Sequence, residues 1–119
     1  MGRRSRRRGA DELAAPESEY SDAEGNVLIL RGAMSPGTRR QYAEVAAGAP
    51  LSREDAWQRS VEFLFERLAV RWVILGTKPI ERSKELLGRF RMASQDERRF
   101  VRDSLRTHVA EHFPDLEAP

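Results

Sequence analysis

The stretch LSREDAWQRSVEFLFERLAVRWVIL, Leu51 to Leu75, decides how the rest of the chain is arranged. Trp57, Val61, Leu64, Phe65, Leu68 and Trp72 fall at i, i+4, i+7, i+8, i+11 and i+15, which places them on one side of a 3.6-residue helix. Ala56, Phe63 and Val70 recur every seven residues on a second, narrower line. The apolar surface is therefore wider than one neighbouring element covers, and more than one partner has to pack on it. Ser52, followed three residues later by Asp55, makes a capping-box-like start. The end has two readings. Either the helix runs to Leu75, or it stops near Val70 and Arg71 to Leu75, with its β-branched and aromatic residues, turns into a strand. The second is favoured. Val27-Leu28-Ile29-Leu30 is a short apolar run suited to a strand, and without such a partner its backbone groups go unsatisfied.

Working outward, Gly48-Ala49-Pro50 breaks the chain ahead of the central helix. Ser35-Pro36 reads as an N-cap followed by proline at the first helical position, opening a helix to about Ala47 with Tyr42, Val45 and Ala46 inward. Gly25-Asn26 is a turn signal. Residues 1–26 divide into a basic block and an acidic one, with too little apolar area to offset their ordering entropy, and are expected to be a disordered tail. On the other side, residues 76–79 form a loop, Ser83 or Pro79 opens a third helix with Leu86, Leu87 and Phe90 inward, and Ile80 packs beside its start. Ser94 and Glu97 form a capping box. The helix it opens carries Phe100, Val101, Leu105, His108, Val109 and His112, and Pro114 stops it. Residues 114–119 are expected to fray. The predicted fold is thus mainly α: one domain over residues 27–113, a small bundle of about four helices with a short N-terminal strand that pairs, on the favoured reading, with a second strand near residues 71–75.

A chain of 119 residues is one domain at most. It has no cysteine, so disulfides, thiolate zinc sites and cysteine nucleophiles are excluded. Charges interrupt every apolar run well short of the roughly 20 residues that span a bilayer. No apolar run follows the basic start, and Arg6 stands where N-myristoylation needs a hydroxyl, so the expected location is the cytoplasm. The net charge of +2 is misleading, because Arg3, Arg4, Arg6, Arg7 and Arg8 lie together and without them the balance is −3. The body is not a basic module. Only Lys78 and Lys84 among 21 basic residues are lysine, a bias that points first to a GC-rich coding genome.

Two constellations bear on chemistry. His108-Val109-Ala110-Glu111-His112 spells the H-x-x-E-H order of inverted zinc proteases, but a hydrolytic zinc needs a third ligand and only seven residues follow His112. The reading is two half-buried histidines bordering a helix stripe, with no metal and no other cofactor. Arg98, Arg102 and Arg106 line up at i, i+4 and i+8 as a ridge able to follow a phosphate backbone, and together with Arg3 and Arg4 they are the candidate nucleic-acid contacts. Asp96, Glu97, Asp103 and Glu111 lie within about a turn and neutralise much of that ridge. No glycine-rich phosphate loop and no carboxylate pair in an apolar setting occurs, which points away from an enzyme.

The order Val27-Leu28-Ile29-Leu30-Arg31, then Ser35-Pro36-Gly37-Thr38-Arg39-Arg40, then a helix with Glu66-Arg67-Leu68-Ala69-Val70-Arg71-Trp72, then Gly76-Thr77-Lys78-Pro79-Ile80 and two short helices, resembles the small tail assembly chaperones of long-tailed bacteriophages. The resemblance covers residues 27–113. It implies a protein without catalysis that coats the tape-measure protein in the bacterial host cytoplasm before the tail tube polymerises, with other tail proteins and further copies of itself as additional partners. Many members of that family also come in a longer, frameshifted form. The arginine-rich start is not a feature the family requires. The family has no motif that assigns contact residues, but a holdase needs apolar surface it cannot bury, and Trp57, Phe63, Phe65 and Trp72 are the candidates for it. The alternative is a small helical nucleic-acid-associated or regulatory protein working through its arginine clusters.

Overall fold

A computed structural model describes residues 16–47, 53–116 and 118–119. The elements are β1 (Glu17–Ser21), β2 (Val27–Arg31), α1 (Pro36–Ala47), α2 (Arg53–Leu68), β3 (Ala69–Val73), α3 (Ser83–Arg91) and α4 (Gln95–His112). The architecture is mainly helical with one small antiparallel sheet in the order β1-β2-β3. No helix among the described residues is long and apolar enough to cross a membrane.

The central helix stops and becomes a strand, as favoured, but two residues early. α2 ends at Leu68 and β3 starts at Ala69, with no connecting loop. The inward residues decide the register. Trp72 lies opposite Leu28, and both are buried on the face that meets the helices. A bulge then leaves Val70 out of the ladder, so that Ala69 rather than Val70 faces Leu30. Ile74 and Leu75, expected in the strand, belong instead to a turn in which Thr77 N–H donates to Ile74 O at 3.1 Å and Gly76 takes φ +88°. Ile80 pairs with Trp72 across the outer edge of β3, which places it ahead of α3 as expected.

The expectation of disorder through residue 26 is corrected. Glu17–Ser21 pairs along the whole free edge of β2, with Tyr20 opposite Leu28 and Ser18 opposite Leu30. Its inward positions are a serine and a tyrosine, too little apolar content for the sequence to reveal a strand. The Asp22–Asn26 connection is held by the Asp22 carboxylate, which accepts from the backbone N–H groups of Glu24 and Asn26 and from Asn26 Nδ2. Asn26 Oδ1 in turn accepts from Leu75 N–H at 2.9 Å, tying the hairpin to the turn after β3. The basic half of the expected tail lies outside the described residues.

Helix starts follow their local chemistry. Ser35 Oγ accepts from Thr38 N–H at 3.1 Å ahead of Pro36. Both halves of the Ser94–Glu97 capping box are formed. The Ser52 cap lies outside the described residues. α3 opens at Ser83 without a side-chain cap. The core is the α2 stripe of Val61, Leu64, Phe65 and Leu68, met by Leu28, Leu30 and Trp72 from the sheet, Leu86 and Phe90 from α3, Val101, Leu105 and Val109 from α4, and Tyr42 from α1. α2 is packed by α1, α3, α4 and β3, so the wide apolar surface does take several partners. The expected fraying after Pro114 does not occur at its far end: Pro119 is buried, and its carbonyl accepts from Arg106 Nε at 2.9 Å.

Gly32, just after β2, lies tight against Pro16 and His112 of α4. A Cβ there would stand 2.8 Å from Pro16 Cγ and 2.9 Å from His112 Nδ1, while one at Gly88, inside α3, would meet nothing within 4 Å. Gly32→Ala is therefore expected to lower unfolding free energy by about 1–3 kcal/mol, and Gly88→Ala to raise it by roughly 0.5–1 kcal/mol. Urea unfolding of the two variants checks both signs.

Candidate functional site

Where α2 meets α4, the last turn of α3 contributes Phe90 to the same surface. The result is a half-open groove of about 280 Å³. Trp57, Val61 and Phe90 supply its apolar lining, Gln58 and Glu62 come from α2, and Gln95, Arg98, Arg99 and Arg102 come from α4. The Arg102 guanidinium lies 5.1 Å from the Trp57 ring centroid and that of Arg98 5.5 Å from the Phe90 centroid, both within cation–π range. Arg98 also donates to Arg91 O at 2.7 Å and to Ala93 O at 3.2 Å, which holds the α3–α4 connection against the groove. Glu62 is claimed by Arg91. Met92 sits in that same connection and is 83% exposed; it and Leu75 are the exposed large hydrophobics among the described residues.

The four residues singled out as partner contacts separate. Phe65 and Trp72 are core, at 0% and 1% exposure. They cannot touch a partner, because Phe65 stacks on Phe90 at 4.9 Å and meets the Trp72 ring edge-on at 5.7 Å. Phe63 is half-buried between Tyr42, 6.1 Å away, and the Arg67 guanidinium at 5.1 Å. Trp57 is half-buried and lines the groove. Of the four candidates, Trp57 and Phe63 keep partial exposure, and Trp57 is the one that lines this groove.

The arginine ridge also separates. Arg98 and Arg102 stand in the groove, but Arg106 turns away to the Pro119 carbonyl. Arg102 pairs with Asp103 at 3.1 Å and Arg99 with Asp96 at 4.0 Å. Glu97, expected to screen the ridge, instead meets Arg89 of α3 at 2.6 Å, and that guanidinium holds its carboxyl below the ordinary carboxylate range. Arg3 and Arg4 lie outside the described residues. Gln58, Glu62 and Met92 are not marked by the sequence, and Arg99 belongs to its second arginine concentration but not to the ridge. Periodicity along α2 ranks Trp57 as one more core position, and nothing in it says which residues of another helix lie opposite.

The H-x-x-E-H pair sits elsewhere, against β1. His108 is fully buried rather than half-buried. Its Nε2 lies 2.7 Å from Arg31 O, an acceptor, so the ring carries its proton there and Nδ1 accepts the Tyr20 hydroxyl at 2.8 Å. His112 Nε2 is 3.0 Å from Ser18 Oγ, and its ring lies 4.4 Å from that of His108. With both His108 nitrogens engaged, the pair acts as a clasp for β1 and not as a chelate. Among the described residues no group of three or more His, Asp and Glu is placed to hold a metal ion.

Burial pushes the His108 imidazole below its ordinary 6.5, the Arg31 carbonyl draws it back only in part, nearby His112 lowers it further, and Glu111 raises it. The unfolded chain then takes up a proton near pH 6.5 that the folded chain refuses until lower pH. Stability is expected to fall as pH drops below about 6.5 and to stop falling on this account below the folded-state pKa. Urea midpoints at pH 7.5 and pH 5 should differ in the native protein, and His108→Gln, less stable at both, should remove most of the difference.

No family model matches this chain, and no curated protein and no solved structure is significantly similar to it.

Proposed function

We propose that this protein is a non-enzymatic tail assembly chaperone of a long-tailed bacteriophage, binding the tape-measure protein and keeping it dispersed in the host cytoplasm until the tail tube forms. One observation carries the reading on the structural side. An exposed methionine, Met92, lies in the α3–α4 connection between the groove-lining Phe90 and Gln95, and the half-buried Trp57 lines that groove, on a body whose other described large apolar side chains, Leu75 apart, are wholly or partly covered. Methionine and tryptophan are the side chains suited to such contact, one adaptable and the other large in area. The order of elements from the Val27–Arg31 strand through the helix ending ahead of Trp72 supports the same reading through the resemblance.

The groove is small beside the whole apolar length of a tape-measure protein, so coating it calls for many copies, whether or not they also contact one another. Nucleic-acid binding draws less support. Arg98 and Arg102 lie over aromatic rings and are bonded within the protein, and Arg106 is turned to Pro119.

Co-expression with the tape-measure protein encoded in the same genome tests the reading. The tape-measure protein is expected to move from the pellet to the supernatant and to co-elute with several copies of this chain. Unchanged precipitation in the presence of a several-fold excess would overturn the proposal.

A further inference from the structure

We propose that the groove between α2 and α4 is the docking site for an acidic amphipathic helix of the client, with one apolar side chain set against Trp57, Val61 and Phe90 and carboxylates engaging Arg99 and Arg102. This deepens the chaperone reading and rests on it for the identity of the client.

Charge complementarity selects the occupant. Arg98, Arg99 and Arg102 line the groove against one carboxylate, Glu62, which Arg91 already holds. The acids nearest the arginines leave them available: Asp96 is 4.0 Å from Arg99 and its side chain is 93% exposed, and Asp103 meets Arg102 only through Nε. Solvated pairs of this kind contribute little and exchange readily for a partner's carboxylate. The Arg102 guanidinium lies over Trp57 and spends only its Nε on Asp103, which leaves its terminal N–H groups as donors for such a partner.

Size and spacing select the form. At about 280 Å³ the cleft is near the lower end of ligand pockets and takes one large side chain, not a chain of them. Arg99 and Arg102 are three residues apart on α4, and Arg98 and Arg102 four, so their backbone positions repeat at roughly one helical turn, about 5 Å. A helix laid along α4 presents carboxylates at i and i+3 or i+4 with the same repeat, flanking an apolar residue on the shared face. Tryptophan and arginine are the types that dominate binding energy in such grooves. Single-stranded nucleic acid fits less well, since each ring a base would stack on already carries a guanidinium.

The full chain is titrated, by tryptophan emission and by calorimetry, with a synthetic helical peptide of about 20 residues bearing leucine on one face and glutamate along its flanks. A matched peptide with lysine for glutamate and a poly-dT oligonucleotide are titrated in parallel. Trp72 is sequestered, so the emission change reports Trp57. The acidic peptide is expected to bind, and Trp57→Ala and Arg99→Glu each to weaken it by at least about tenfold. Arg99 is well exposed, so Arg99→Glu keeps the fold even if Trp57→Ala does not. Equal binding of both peptides, indifference to Arg99→Glu, or binding of poly-dT alone overturns the proposal. So does a self-associated state that Arg99→Glu dissolves without peptide, because the groove is then filled by a second copy.

The two readings fail separately. If Arg99→Glu and Trp57→Ala still disperse the tape-measure protein, the groove is wrong and the chaperone reading survives. If the acidic peptide binds with the stated variant dependence while the tape-measure protein precipitates, the groove is right and the client is another protein.

Discussion

The passage from α2 to β3 without a loop, between Leu68 and Ala69, is the constraint on which the rest depends. A helix that turns directly into a strand fixes the position of the sheet relative to its own axis. Trp72 then has to lie opposite Leu28, beneath the end of the helix it came from and edge-on to Phe65. Backbone pairing and apolar burial agree on this register, because a one-residue slip would turn the indole out to solvent. Among the described residues the indole Nε1 is buried without a hydrogen-bond partner, so the bulk of Trp72 and not its polar atom is what the position uses. Phe90 and Leu86 follow by stacking on the same cluster, and α3 has little freedom left.

Around that apolar joint the edges are closed by polar contacts. β1 contributes one large side chain, Tyr20, and relies on hydrogen bonds from Tyr20 and Ser18 to the two histidines of α4. At the other end of the sheet, Asp22, Asn26 and the Leu75 backbone link the two turns. Burial raises the Asp22 pKa, but the donors of Asn26, Glu24 and Gly25 outweigh it, and the carboxylate stays below its ordinary range. Buried or partly buried groups such as His108 and Tyr20 stabilise only when their donors and acceptors are paired, which ties β1 to α4.

The groove is what remains when this joint has been satisfied. The sheet covers the C-terminal half of the α2 stripe, Leu64 to Leu68, while Trp57 lies two turns nearer the start and meets the arginine-bearing first half of α4. Arginine covers an aromatic ring without sealing it, since the guanidinium keeps its outward edge solvated. This surface, apolar underneath and cationic on top, is the one the proposed docking of an acidic helix draws on.

The residue pattern by itself determined the helices and most of their ends, because the apolar period of α2, the Ser94–Glu97 box and the Ser35-Pro36 start are local and act over a few residues. It also indicated that Val27–Leu30 needs a strand partner. Tertiary structure decided the rest. That Trp72 is core and Trp57 is not, although both lie on one helical line, depends on where the sheet crosses that line. β1 was hidden from the sequence because its inward residues are only Ser18 and Tyr20, and their partners, His112 and His108, lie about 90 residues away and come within reach only through folding. Arg98 and Arg102 read as one ridge with Arg106, yet they part because two lie over aromatic rings and the third bonds the returning chain. Periodicity reports which side of an element is apolar, and only the packed molecule shows how much of that side is covered.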